Sequence, residues 1–166
     1  MTGSGAGAVE VVATDDRHAV DEAAAPVDLG RWQALARDVL AGEGVEGPAE
    51  LHLAFVDEGA IATLNAEHLG GEGPTDVLSF PLDPEPDPST DGPGPRLLGD
   101  VVVCPAVAAR QAGASDGARY DAEVALLVVH GVLHVLGMDH AEPDEAAAMA
   151  DRERHHLTAV GIERRP

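Results

Sequence analysis

His130, His134 and His140 sit in the stretch HGVLHVLGMDH, inside a run that otherwise reads as buried apolar core. On a helix, residues four apart share a face with Cβ atoms about 5–6 Å apart, so His130 and His134 can reach one point. Gly137 ends such a helix and lets the chain reverse, which allows His140 to return over the same point. Three imidazoles around a divalent ion, with a fourth position left to water, is the arrangement of a catalytic zinc site. Such an ion keeps its full double charge, lowers the pKa of bound water to about 7 and polarises a phosphoryl or carbonyl oxygen. The competing reading is a set of core histidines hydrogen-bonded to backbone. It is the costlier one, because each unsatisfied buried polar group costs about 1–3 kcal/mol, and a metal turns that burden into binding energy. Imidazole also suits Ni, Cu and Fe, so the spacing predicts one metal per chain, with Zn2+ the first expectation.

The spacing H-x3-H-x2-G-x2-H is that of the metzincin proteases, whose signature is H-E-x-x-H-x-x-G-x-x-H. In them the Glu after the first His is the general base; here that place is Gly131. A glycine in a helix interior costs roughly 1 kcal/mol against Ala, so its use points to close packing or to space left open beside a metal. Peptide hydrolysis by the metzincin route lacks its base. The scaffold is zincin-like, and its chemistry is expected to differ.

The elements that must hold these histidines follow from periodicity and punctuation. Residues 9–15 (VEVVATD), 49–56 (AELHLAFV), 74–81 (PTDVLSFP) and 97–105 (LLGDVVVCP) read as short strands. Residues 28–44 read as a helix capped by Asp28, with Trp32, Leu35, Val39 and Leu40 as its apolar stripe and Gly42 and Gly44 as its stop. Residues 57–71 open on an acidic turn and close on glycines, a second helix, and AVAARQAGA is a short third one. Residues 120–136 are apolar nearly all round, the mark of a central buried helix, and 142–161 form an amphipathic helix with Pro143 near its start. Strands followed by late helices predict an α+β fold: a small mixed sheet of about four strands, helices packed on it, and a central buried metal-binding helix. Residues 1–8 read as a disordered tail and 9–161 as a single domain. The Pro-, Gly- and acid-rich stretch 83–96 reads as a mobile loop between strands.

Bulk properties narrow the class. The chain has 166 residues, 45% apolar but only 2% aromatic, so Val, Leu and Ala must build the core. Thirty Asp and Glu against ten Arg and no Lys give a net charge of −20, which opposes nonspecific nucleic-acid binding. Any role on RNA must rest on a local cluster, a bound cation or a basic protein partner. Cys104 is the only cysteine; it reads as a small buried residue at a strand end, consistent with a reducing compartment. The N-terminal residues lack the pattern of a signal peptide, and the longest apolar run is too short to span a bilayer. A cytoplasmic protein with no membrane partner is expected.

PTDVLSFP upstream, LLGDVVV between, and HGVLHVLGMDH downstream together resemble the YbeY family of bacterial endoribonucleases, described as rRNA maturation factors, over residues 9–161. Asn65, Met149 and Glu153 also fall where that family's pattern expects them. The resemblance implies a zincin-like α+β fold and a metal, usually taken as zinc, on His130, His134 and His140. It further implies single-strand endoribonuclease activity in 16S rRNA 3′ end processing and ribosome quality control, with rRNA and the small ribosomal subunit as partners. One position departs. Many members carry an Arg four residues after the Asn of LN, where this chain has Leu69. Arg96, past the loop, is a positional substitute; otherwise it is a solvated charge. Asp76 and Ser79 are candidates for the site if their strand borders the metal helix, with a turn-forming role as the alternative for Asp76. Asp139 is either a partner to a ligand imidazole or a turn residue. His155 and His156 fit a helix C-terminus, where His is favoured, and Arg152 and Arg154 read as a solvated face. Two other functions stay open at this point: a non-catalytic assembly factor with a structural metal, docking on basic ribosomal proteins, and a zincin-like protease.

Overall fold

The computed structural model describes residues 8–18, 25–82, 95–113, 117–138 and 141–162. All of the expected 1–8 tail except Ala8, and most of the 83–96 loop, lie outside the described residues. In chain order the elements are β1 (Val9–Asp15), α1 (Leu29–Gly42), β2 (Ala49–Phe55), α2 (Glu58–Leu69), β3 (Val77–Pro81), β4 (Arg96–Val103), α3 (Pro105–Ala112), α4 (Gly117–Val135) and α5 (Pro143–Ala159). The helix starts obey local chemistry. Asp28 accepts the amide of Arg31 at 3.2 Å and Asp57 that of Ala60 at 2.8 Å, each satisfying an orphan donor of a first turn. Pro105 and Pro143 open α3 and α5, where a missing N–H costs nothing.

The four strands lie in the order β1-β2-β4-β3, with β1, β2 and β4 parallel and β3 antiparallel at the edge. The expected mixed α+β sheet of about four strands is the one observed. Alternation along β2 sorts its two faces: Ala49, Leu51, Leu53 and Phe55 are fully buried on one, while His52 is exposed on the other. The buried face meets α1 and α4, with α5 packed on α4. A smaller core of Ile61, Leu78, Val102 and Cys104 lies on the opposite face under α2 and α3. Burial raises the Cys104 thiol's pKa above its ordinary value, as suits an inert packing residue.

Three boundaries differ from expectation. Helix α4 begins at Gly117 and not at Tyr120, because its first turns are exposed or half-buried and so carry no apolar signal. Strand β3 begins at Val77; Asp76 instead gives its carbonyl to the amide of Cys104 at 2.9 Å. Arg96 is the first residue of β4, held by its backbone amide to the carbonyl of Pro48 at 3.0 Å, and is not a loop residue.

The C-terminal end of α1 is tied to α5 by charge. Glu43 Oε2 accepts from Arg152 Nε at 2.9 Å and Nη2 at 2.7 Å, and pairs with a ring nitrogen of His156. His156 is buried, and a Cβ on Gly42 would lie 2.7 Å from its ring. Arg152 therefore belongs to an interhelical ion pair, which corrects its reading as a solvated charge; Arg154 does sit exposed, beside Asp151. Burial pushes the Glu43 carboxyl upward, but the hydrogen bonds from His156 and Arg152 outweigh it and hold the pKa below the usual range. A lowered folded pKa contributes stability above the unfolded value, and that contribution disappears as pH falls through the folded pKa. Glu43→Gln is expected to cost about 1–2 kcal/mol near neutral pH. In urea melts at a series of pH values, its gap from the wild type should close on acidification below about pH 4.

Candidate functional site

Helix α4 is buried along most of its length, between the sheet on one side and α5 on the other. It packs tightly on the sheet at Gly131. A Cβ there would stand 2.5 Å from Val101 Cγ1 and 3.3 Å from Val77 Cγ2. Close packing, and not open space beside a metal, is what this glycine provides. The Ser79 hydroxyl donates to the Gly131 carbonyl at 3.0 Å, so Ser79 fastens the edge strand to the helix one residue from His130. The helix ends as its glycine predicts. Gly137 has φ +102°, its amide donates to the carbonyl of His134 at 3.0 Å, and that of Met138 to Leu133 at 3.1 Å. This is a Schellman closure, which fixes the backbone of the last turn, where His134 resides.

His130 and His134 therefore sit on a clamped helix, with ring centroids 6.2 Å apart and planes at 62°. Glu153 of α5 reaches His130: its Oε2 lies 2.7 Å from Nδ1, with the carboxylate side chain 4% exposed and the imidazole 28% exposed. Because Nδ1 faces Glu153, the nitrogen of His130 that could meet a metal is Nε2. The donor set fits such an ion. Two imidazoles share a helix face, one of them turned by a carboxylate, the arrangement that holds metal-binding histidines elsewhere. No three His, Cys, Asp or Glu side chains among the described residues converge as a metal site. The expected third ligand, His140, and its neighbour Asp139 lie outside the described residues.

Beside His130 opens a cleft of about 340 Å³, lined by Asp76 before β3, by Glu123 of α4, and by Met149 and Glu153 of α5 among others. Burial raises the Glu123 carboxyl above its usual pKa, and the negative charge of Asp76 raises it further. Of the sequence candidates, Asp76 thus borders the same cleft as His130. Ser79 serves as the strand-to-helix fastener. Arg96 is exposed at the start of β4 and is not among the residues lining the cleft. Leu69, where an arginine was expected, is 61% exposed at the end of α2. Sequence reasoning gives two carboxylates no role: Glu153 is named only for its place in the family pattern, and Glu123 is not singled out. Glu153 follows Met149 by one helical turn on a buried face, and a Glu on an apolar stripe was the available signal. Glu123 precedes His130 by two turns on the same face of α4.

The family model described as Endoribonuclease YbeY matches residues 18–161. The protein of Beutenbergia cavernae named Endoribonuclease YbeY is 47% identical over 138 residues, 82% of this chain and 91% of that protein. The one from Salinispora tropica is 48% identical over 138 residues, 78% of this chain and 85% of its own. Among solved structures, the solution structure of TM1509 from Thermotoga maritima superposes with a TM-score of 0.53 at 23% identity, covering 88% of this chain and 85% of that one; it supports the fold. The family match spans α4, α5, the edge strand and the cleft between them, and on that extent the chain belongs to the YbeY family of endoribonucleases.

Proposed function

We propose that this chain is a metal-dependent, single-strand-specific endoribonuclease that matures rRNA, at the 3′ end of 16S rRNA, and takes part in ribosome quality control. The observation that carries the metal-dependent part is the His130–His134 pair on one clamped face of α4, with Glu153 seated behind His130. The names of its relatives support the nuclease part. His130, His134 and His140 would hold one zinc ion. Bound there, the ion supplies positive charge for a phosphate oxygen and acidifies water to near neutrality. This answers the objection raised by a net charge of −20, since the anionic substrate needs a local positive centre. The small ribosomal subunit is the partner this reading requires, and the cytoplasm the compartment. No helix among the described residues is long and apolar enough to cross a membrane.

The chain's own contribution is orientation. Glu153 accepts the Nδ1 proton of His130, which fixes the tautomer and turns Nε2 outward. Glu153→Gln is expected to weaken zinc binding about 10- to 100-fold, read by competition with a chromophoric chelator. The thermal midpoint of the metal-free protein should move far less than the affinity does.

The direct test uses a single-stranded fragment ending at the 16S rRNA 3′ terminus, and the same fragment annealed to its complement. Purified protein should cut the single strand in preference to the duplex, and His134→Ala should cut neither. Equal cleavage by wild type and His134→Ala would trace the activity to a contaminant and reject the assignment. A second reading draws on the net charge of −20 and on Leu69: an assembly factor with a structural metal, docked on basic ribosomal proteins. It predicts unfolding on chelation and no cleavage under any condition.

A further inference from the structure

The cleft beside His130 has a composition that constrains what can enter it. Val77, Leu126, Leu127 and Met149 give it apolar walls, and three carboxylates line it: Glu153, already engaged with His130 Nδ1, and Asp76 and Glu123. In a chain of net charge −20, ionised carboxylates repel a phosphate. The part of an RNA strand that fits here is uncharged, with apolar faces and hydrogen-bond donors on its edge. That is an extruded base, held between apolar side chains and read on its Watson–Crick edge. A volume of about 340 Å³ falls in the range of small-ligand sites.

Carboxylates accept and do not donate, so they discriminate among bases. Guanine presents N1–H and the 2-amino group side by side. Adenine and cytosine each place an acceptor nitrogen next to the amino group, and uracil flanks its single N–H with carbonyls. Only guanine offers two adjacent donors and no acceptor between them. Glu123 is half-buried, and burial makes its charge costly; a pair of base N–H donors offsets that cost. Spacing agrees as well. Glu123 and His130 are seven residues apart on α4, about 10 Å along the axis, comparable to the span from a purine's Watson–Crick edge to its flanking phosphate.

We infer that the cleft beside His130 is a base-binding subsite that selects guanine through Asp76 and Glu123, setting the cut at a phosphate next to that base. This rests on the endoribonuclease reading above.

The experiment compares single-stranded oligoribonucleotides that differ at one position, carrying guanine, inosine, adenine, cytosine or uracil. Inosine lacks only the 2-amino donor. Wild type should cut beside guanine roughly five- to tenfold faster than beside inosine, and faster still than beside the other three. Of Asp76→Asn and Glu123→Gln, at least the one that removes the acceptor of the 2-amino group should bring the guanine-to-inosine ratio close to unity while retaining zinc. Both should fold. Because the Glu123 carboxyl has a raised folded pKa, its charge subtracts stability once pH exceeds that value, so Glu123→Gln should melt no lower than wild type at pH 7. Equal rates for guanine and inosine in wild type, or a ratio unchanged in both variants, would overturn the subsite. If wild type cuts none of the oligonucleotides, the nuclease reading has failed. The subsite is then judged by titrating free guanosine while following the methyl resonances of Leu126, Leu127 and Met149. Shifts that Glu123→Gln abolishes uphold it, and no shift in wild type refutes it.

Discussion

His134→Ala should lower RNA cleavage roughly a thousandfold, because losing a metal's Lewis-acid contribution is worth several kcal/mol and each 1.36 kcal/mol is tenfold in rate. The effect should fall on kcat and not on RNA affinity, since the histidine contributes charge stabilisation of the transition state. The variant should still fold. His134 lies in the last turn of α4, its ring part-exposed, and the closure that holds this turn runs through its backbone carbonyl, which alanine keeps. Far-ultraviolet circular dichroism and a thermal melt would separate a lost reaction from a lost structure. An unfolded His134→Ala together with an inactive wild type would favour the assembly-factor reading.

Gly131→Glu restores the metzincin signature and should yield no peptidase. The new Cβ would stand 2.5 Å from Val101 Cγ1, and a carboxylate would be forced against the sheet. Overpacking and burial of an unpaired charge together should cost about 3 kcal/mol or more, a fall in melting temperature of roughly 10 °C. Gly131→Ala should cost less, since better helix propensity returns about 1 kcal/mol. A soluble Gly131→Glu protein that digests casein would show that the helix can stand off from the sheet, and would reopen the protease reading.

The fold was legible where its determinants are local. Asp28 and Asp57 announce their helices, Gly70 and Gly137 end theirs, and the alternation in AELHLAF marks a strand with one buried face. The histidine pair was legible too, because a helical repeat alone brings His130 and His134 together. What was not legible depends on contacts distant in sequence. Nothing near Gly131 shows that Val101, thirty residues earlier, is its neighbour; the sequence showed only that a helical glycine needs a reason. Arg152 read as a surface charge until Glu43, from the far end of α1, met it. Glu153 stood on a buried stripe with no partner in view until α5 packed against α4. Ser79 showed a strand position but not the helix carbonyl it binds. Strand order belongs to the same class, since a parallel β2–β4 pairing leaves no trace in either strand's own residues.

The proposed function requires that His130, His134 and His140 together hold one zinc ion. Elemental analysis tests this most directly: wild type, His130→Ala and His134→Ala, each purified without added metal, equilibrated with zinc and dialysed exhaustively. One zinc per wild-type chain and near none in either variant is the predicted result. A wild type that retains no metal, or variants that retain as much as wild type, would contradict it.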